Sequence, residues 1–157
     1  MKGLIKVKLA EALLLRSEYQ KKIDNLQHRI MINLKVQENE KPHEEPNSLL
    51  AESMKLNDDL CLLIKKINKR NNEIKLSNGQ TLSDALADRD MLIKKRQLLS
   101  SITSNTSERD YRLTHTEIKM LITMDIGAIQ KEIDSLSQQY RQLDTQIQGQ
   151  NWIVDLE

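Results

Sequence analysis

Apolar residues recur every third or fourth position through four long stretches of this chain, with polar or turn-forming residues between them. The pattern predicts four helices, at about residues 8–34, 49–70, 84–102 and 126–150. The first carries Leu9, Ala12, Arg16, Tyr19, Ile23, Leu26, Ile30 and Asn33 on one face, and Leu13 to Leu15 widen that face near its start. The second carries Leu49, Leu56, Leu60, Leu63 and Ile67, flanked by Met54, Cys61 and Ile64. The third follows Ala85, Leu86, Arg89, Leu92, Ile93, Arg96, Leu99 and Ile102. The fourth is the most regular: Ile126, Ile129, Ile133, Leu136, Tyr140, Leu143 and Ile147 alternate steps of three and four, as a heptad seam does.

The connections supply the rest of the expected fold. Val36 to Pro46 holds both prolines and no apolar period, so it reads as a loop between antiparallel helices, with Asn47 or Ser48 capping the second. Asn71-Asn72 marks the end of that helix. Residues 73–82 alternate around Ser77-Asn78-Gly79 and predict a β-hairpin, after which Ser83 caps the third helix. Thr103 to Asp110 reads as a polar loop. Residues 117–124 alternate like a strand, with a helix as the competing possibility because no breaker interrupts them. Asp125 caps the fourth helix, and Trp152 in the final apolar stretch is expected to dock in a groove. The predicted fold is therefore mainly α: long antiparallel helices in a four-helix-bundle-like core, with a small β-hairpin or strand element, as one domain over residues 1–157.

Composition agrees. Four Gly, two Pro and no Phe in 157 residues suit long helices better than a loop-rich β fold. A net charge of +1 gives no long-range pull toward nucleic acid or an anionic membrane, so neither is an expected partner. No stretch approaches the ~20 apolar residues that span a bilayer. The lone Cys61 predicts a reducing compartment and reads as a small core residue. Met1 to Lys8 resembles the start of a signal peptide but lacks a cleavage site downstream, so the cytoplasm is the expected location.

Candidate chemistry is sparse. His28, His43 and His115 show no ligand spacing with one another, and Glu40-Lys41-Pro42-His43 has the Glu-x-x-His spacing of a helical metal site but sits in the proline loop. Asp84, Asp88 and Asp90 cluster on the third helix; Asp84 and Asp88 share a face that could hold a divalent cation or simply be solvated. Arg16, Arg89 and Arg96 fall on apolar stripes. Either they fix register through partners, or Arg16 and Arg89 hold an anion in a polar pocket beside Asp84, Asp88 and Asp90. The basic clusters Lys65-Lys66 with Lys69-Arg70, and Lys94 to Arg96, lack the interleaved aromatics of a nucleic-acid site. No phosphate loop or nucleophile motif occurs, so no catalytic residue, metal ligand or cofactor is assigned.

Lys8 to Arg16, Val36 to Glu38 leading into Glu44 to Asn47, Thr81 to Asp90, and Ile147-Gln148 to Asn151-Trp152 together resemble the septicolysin-like family of small bacterial proteins, over nearly the whole chain. The resemblance implies helical bundles that assemble as homo-oligomers, with the hexamer as the suggested form, and supplies no catalytic residues. A cytolytic role, which the family name suggests, does not fit a sequence without an amphipathic membrane hairpin or aromatic anchoring loop. The expected function is a cytoplasmic homo-oligomeric scaffold or interaction protein whose partner is itself. Ile126, Ile133, Tyr140, Ile147 and Trp152 are its expected interface. The alternative is a small-ligand binder or metal-dependent enzyme using the Arg16, Arg89 and Asp84/Asp88/Asp90 pocket.

Overall fold

The computed structural model describes residues 7–106 and 121–157. Among them the chain forms four helices: α1 (Leu9–Asn33), α2 (Pro46–Glu73), α3 (Leu82–Thr106) and α4 (Ile126–Ile153). The described residues up to Leu82, together with Gln148–Glu157, make one compact unit, and those within Ser83–Ile147 make a second.

In the first unit, α1 and α2 lie antiparallel. Two ion pairs set their register: Lys22 Nζ to Glu52 Oε1 at 3.3 Å, and Arg29 to Glu44 at the end where the helices are joined. The buried stripes are those the periodicity marks. Leu9, Ala12 and Leu26 of α1 and Leu49, Leu60, Leu63 and Ile67 of α2 are removed from solvent. Arg16, placed on the α1 stripe by its spacing, is instead exposed.

Local chemistry explains the helix ends. Lys8 precedes α1 in extended conformation, and its backbone N–H donates to Glu11 Oε2 at 2.8 Å, half of a capping box. α2 begins earlier than expected because Pro46 occupies its first turn, where a missing N–H costs nothing, while the Glu45 carboxylate accepts from the Asn47 N–H at 3.3 Å. Asn47 and Ser48 are thus helical residues, and only Pro42 lies in the loop. α2 also runs through Asn71-Asn72 to Glu73. Leu82, not a residue after Ser83, opens α3.

The hairpin expected at residues 73–82 is not formed. Its turn exists: Gly79 has φ +83°, the Leu76 N–H donates to the Gln80 carbonyl at 2.8 Å, and the Leu82 N–H donates to that of Ile74 at 2.8 Å. One isolated bridge, Lys75 to Thr81, is all that pairs, because Leu82 already enters α3 and leaves no length for a ladder. Ile74, Leu76 and Leu82 are buried, so the segment serves as a tight apolar connection. The strand expected at 117–124 lies outside the described residues as far as 120, and residues 121–124 have no strand pairing. Of the polar loop expected at Thr103 to Asp110, Thr103 to Thr106 complete α3, and the remainder lies outside the described residues.

The end of the chain closes the first unit. An antiparallel bridge joins Lys8 to Asp155, with the Leu9 N–H donating to the Val154 carbonyl at 2.9 Å and the Leu156 N–H to the Val7 carbonyl at 2.8 Å. Trp152 does not fill a groove. It belongs to the last turn of α4 and is 59% exposed; the residues after it are the ones that dock. In the second unit, α3 and residues 126–147 of α4 run antiparallel, with Ile129, Leu136 and Ile147 buried and Ile126, Ile133 and Tyr140 half-buried. Asp125 caps α4 as its position predicts, its carboxylate accepting from the Ala128 N–H at 3.0 Å.

Candidate functional site

In the second unit the α3 arginines find their partners on α4. Arg89 Nη1 donates to Asp144 Oδ1 at 2.9 Å, Nη2 lies 3.8 Å from Asp90 Oδ1, and Nε is buried without a hydrogen-bond partner. Seven residues further on, the Arg96 guanidinium stands 5.7 Å from the centroid of the Tyr140 ring, within cation–π range. Both contacts hold α3 against α4 in one register. Asp84, Asp88 and Asp90 are exposed, and the structure brings only Asp90 beside Arg89. Arg16 stands exposed on α1 in the first unit.

The first unit holds a polar cluster the sequence did not single out. Lys8 Nζ donates to the Ile153 carbonyl at 2.9 Å and to Asp155 Oδ1 at 2.7 Å; Arg70 Nε donates to the Asp155 carbonyl at 2.8 Å and Nη1 to Glu73 Oε2 at 3.1 Å. Lys66 pairs with Glu157. The cleft lined by Lys66, Lys69, Arg70, Glu73, Leu156 and Glu157 therefore sets three cations against two carboxylates that pair with them. Only the basic run at residues 65–70 was visible beforehand. Glu73 is a near neighbour of Lys69 and Arg70, but the Asp155 carbonyl that Arg70 bonds lies 85 positions away, where no local spacing reveals it.

At the other end of the same unit, Arg29 grips Glu44 through Nε at 2.9 Å and through Nη2. Buried Asn33 anchors the loop between α1 and α2: its amide donates to the Arg29 carbonyl at 2.9 Å, and its oxygen accepts from the Glu44 N–H at 3.1 Å. Glu40 and His43 lie in this loop, not on a helix. Among the described residues no group of three or more His, Cys, Asp or Glu side chains could hold a metal ion, and no helix is long and apolar enough to cross a membrane. Cys61, expected in the core, is exposed on α2.

Two carboxyls are held below their usual range. The hydrogen bond from Arg29, then its charge, lowers that of Glu44 against an opposing desolvation; the hydrogen bond and charge of Lys66 do the same for Glu157. A depressed folded-state value means that the contribution is complete above the ordinary value of 4.5 and is lost as pH falls through the lower folded one. The unfolding midpoint should therefore drop as pH falls below about 5, and Glu44→Gln should make that drop shallower in circular-dichroism melts.

A crystal structure of a functionally unknown conserved protein from Corynebacterium diphtheriae is similar to this chain, with a TM-score of 0.89 and 39% identity over 97% of this chain and 99% of that one. No curated protein matches. Residues 16–156, nearly the whole length, match the model of a family of unknown function, DUF6847, and the chain belongs to that family.

Proposed function

We propose that the protein is a homo-oligomeric helical scaffold or interaction protein of the cytoplasm, without catalysis of its own. One observation carries this reading: large apolar side chains stay in solvent on long, regular helices, Leu14 on α1, Leu50, Met54 and Leu62 on α2 and Leu98 on α3 among them, each at least half exposed. Exposed stripes of this extent mark surfaces that associate. The polar groups that might have served chemistry are engaged in holding helices and chain ends, as Arg89 with Asp144 and Arg70 with Asp155 illustrate. The resemblance to septicolysin-like proteins points the same way and suggests a hexamer.

Light scattering of the protein during size-exclusion chromatography at micromolar concentration tests this. A mass at a whole multiple of 18.2 kDa is expected. A monomer across the accessible concentration range overturns the reading.

A further inference from the structure

α2 carries two apolar stripes one residue apart. The inner one, Leu49, Ser53, Leu60, Leu63 and Ile67, is buried. The outer one is Leu50, Met54, Asn57, Cys61, Ile64 and Asn68, whose steps are four, three, four, three and four without a miss. Such spacing keeps one seam facing a partner helix along its whole length. Yet Leu50 is 50% and Met54 61% exposed, and Asn57, Cys61 and Asn68 are exposed with them.

We infer that this outer seam is where a second copy of the chain packs, with its own α2 running antiparallel. The inference rests on the self-association proposed above and assigns it a surface. Charge selects both occupant and direction. The first half of α2 carries Glu52, Asp58 and Asp59 against Lys55; the second half carries Lys65, Lys66, Lys69 and Arg70 against Glu73. A parallel pair would stack acid on acid and base on base, whereas an antiparallel pair sets each half against its opposite. One register sets the nearest opposite charges beside the seam against each other. With the twofold axis between Cys61 and Leu62, Asp58 lies level with the partner's Lys65 and Leu62 with the partner's Cys61. Neither Asp58 nor Lys65 is held by an ion pair within the described chain. Charges flanking an apolar seam are how packed helices choose partner and orientation. Asn57 already donates to the Ser53 carbonyl at 2.8 Å, so it enters the contact partly satisfied.

The lone cysteine provides the probe. In this register Cys61 faces its own copy across the axis, so a short bismaleimide should convert the full-length protein to a covalent dimer. Met54→Cys in a Cys61→Ser background should not cross-link, because antiparallel packing carries the two Met54 positions far apart. Asp58→Lys and Lys65→Asp should each weaken the dimer by roughly tenfold in sedimentation equilibrium, through two lost pairs per interface. Combining the two substitutions should restore it. Circular dichroism verifies that these exposed positions leave the fold intact. An oligomer that forms no Cys61 cross-link and ignores both charge reversals overturns this surface and leaves self-association standing; a monomer at every concentration overturns both. Cross-linking at Cys61 and at Met54→Cys alike shows parallel packing and overturns the register.

Discussion

Leu26→Ala is expected to destabilise the protein by about 2–5 kcal/mol, the usual cost of truncating a buried leucine in a core that cannot collapse around the gap. Leu26 is wholly removed from solvent, midway between the Lys22–Glu52 and Arg29–Glu44 ion pairs that align α1 with α2. Relaxation there is resisted from both sides, because the loop beyond it is held by Asn33. In a chain of this size the loss amounts to a fall in Tm of roughly 5–15 °C, read by calorimetry. Leu14→Ala, at a position 57% exposed on the same helix, should move Tm by no more than about 2 °C.

The second large effect is an asymmetry. Asp144→Ala should cost about 1–3 kcal/mol, whereas Arg89→Met should cost less than half of that or even stabilise. The guanidinium of Arg89 is mostly covered, and its Nε already lacks a partner. Removing Asp144 leaves a half-buried cation with only the 3.8 Å approach of Asp90, which is largely exposed and screened. Removing the arginine instead eliminates the desolvated charge, and methionine keeps the apolar stem against α4. Chemical denaturation of the two single variants and the double variant decides the matter. Equal losses from both single variants would show that the pair is worth more than the cost of burying it.

Periodicity carried the helices because burying one face is a local requirement repeated every turn. Leu9, Leu26, Leu60, Ile67 and Ile147 lie in the core, where their spacing puts them. Asp125 was equally legible, since a cap is settled within three residues. Proline was ambiguous: the same residue that ends a helix can open one, and Pro46 opens α2. Asn78-Gly79 announced a turn correctly but said nothing about the length of its strands, which the start of α3 cuts to a single bridge. The Ser/Thr-rich end of α3 looked like loop because those side chains compete with the backbone. Here they bond back along the helix instead, Thr103 Oγ1 to the Ser100 carbonyl at 3.0 Å and Ser104 Oγ to the same carbonyl at 2.8 Å. Cys61 missed the core by one position, a rotation of about 100° around α2, and so fell on the outer seam. The distant partners of Arg89 and Arg70, Asp144 and the Asp155 carbonyl, were out of reach, lying 55 and 85 positions downstream, where only the fold brings them near.

The bridge between Lys8 and Asp155 also orders events in time, for its ion pair joins residues 147 positions apart. While the chain emerges from the ribosome, α1 and α2 can already meet as a hairpin of near neighbours, but the contacts that seat Val7 to Leu9 do not yet exist. Synthesis at about 5–20 residues per second separates Lys8 from Asp155 by roughly 7–30 seconds, so the backbone groups of Val7 and Leu9 stay without these partners until residues 154–156 have been made.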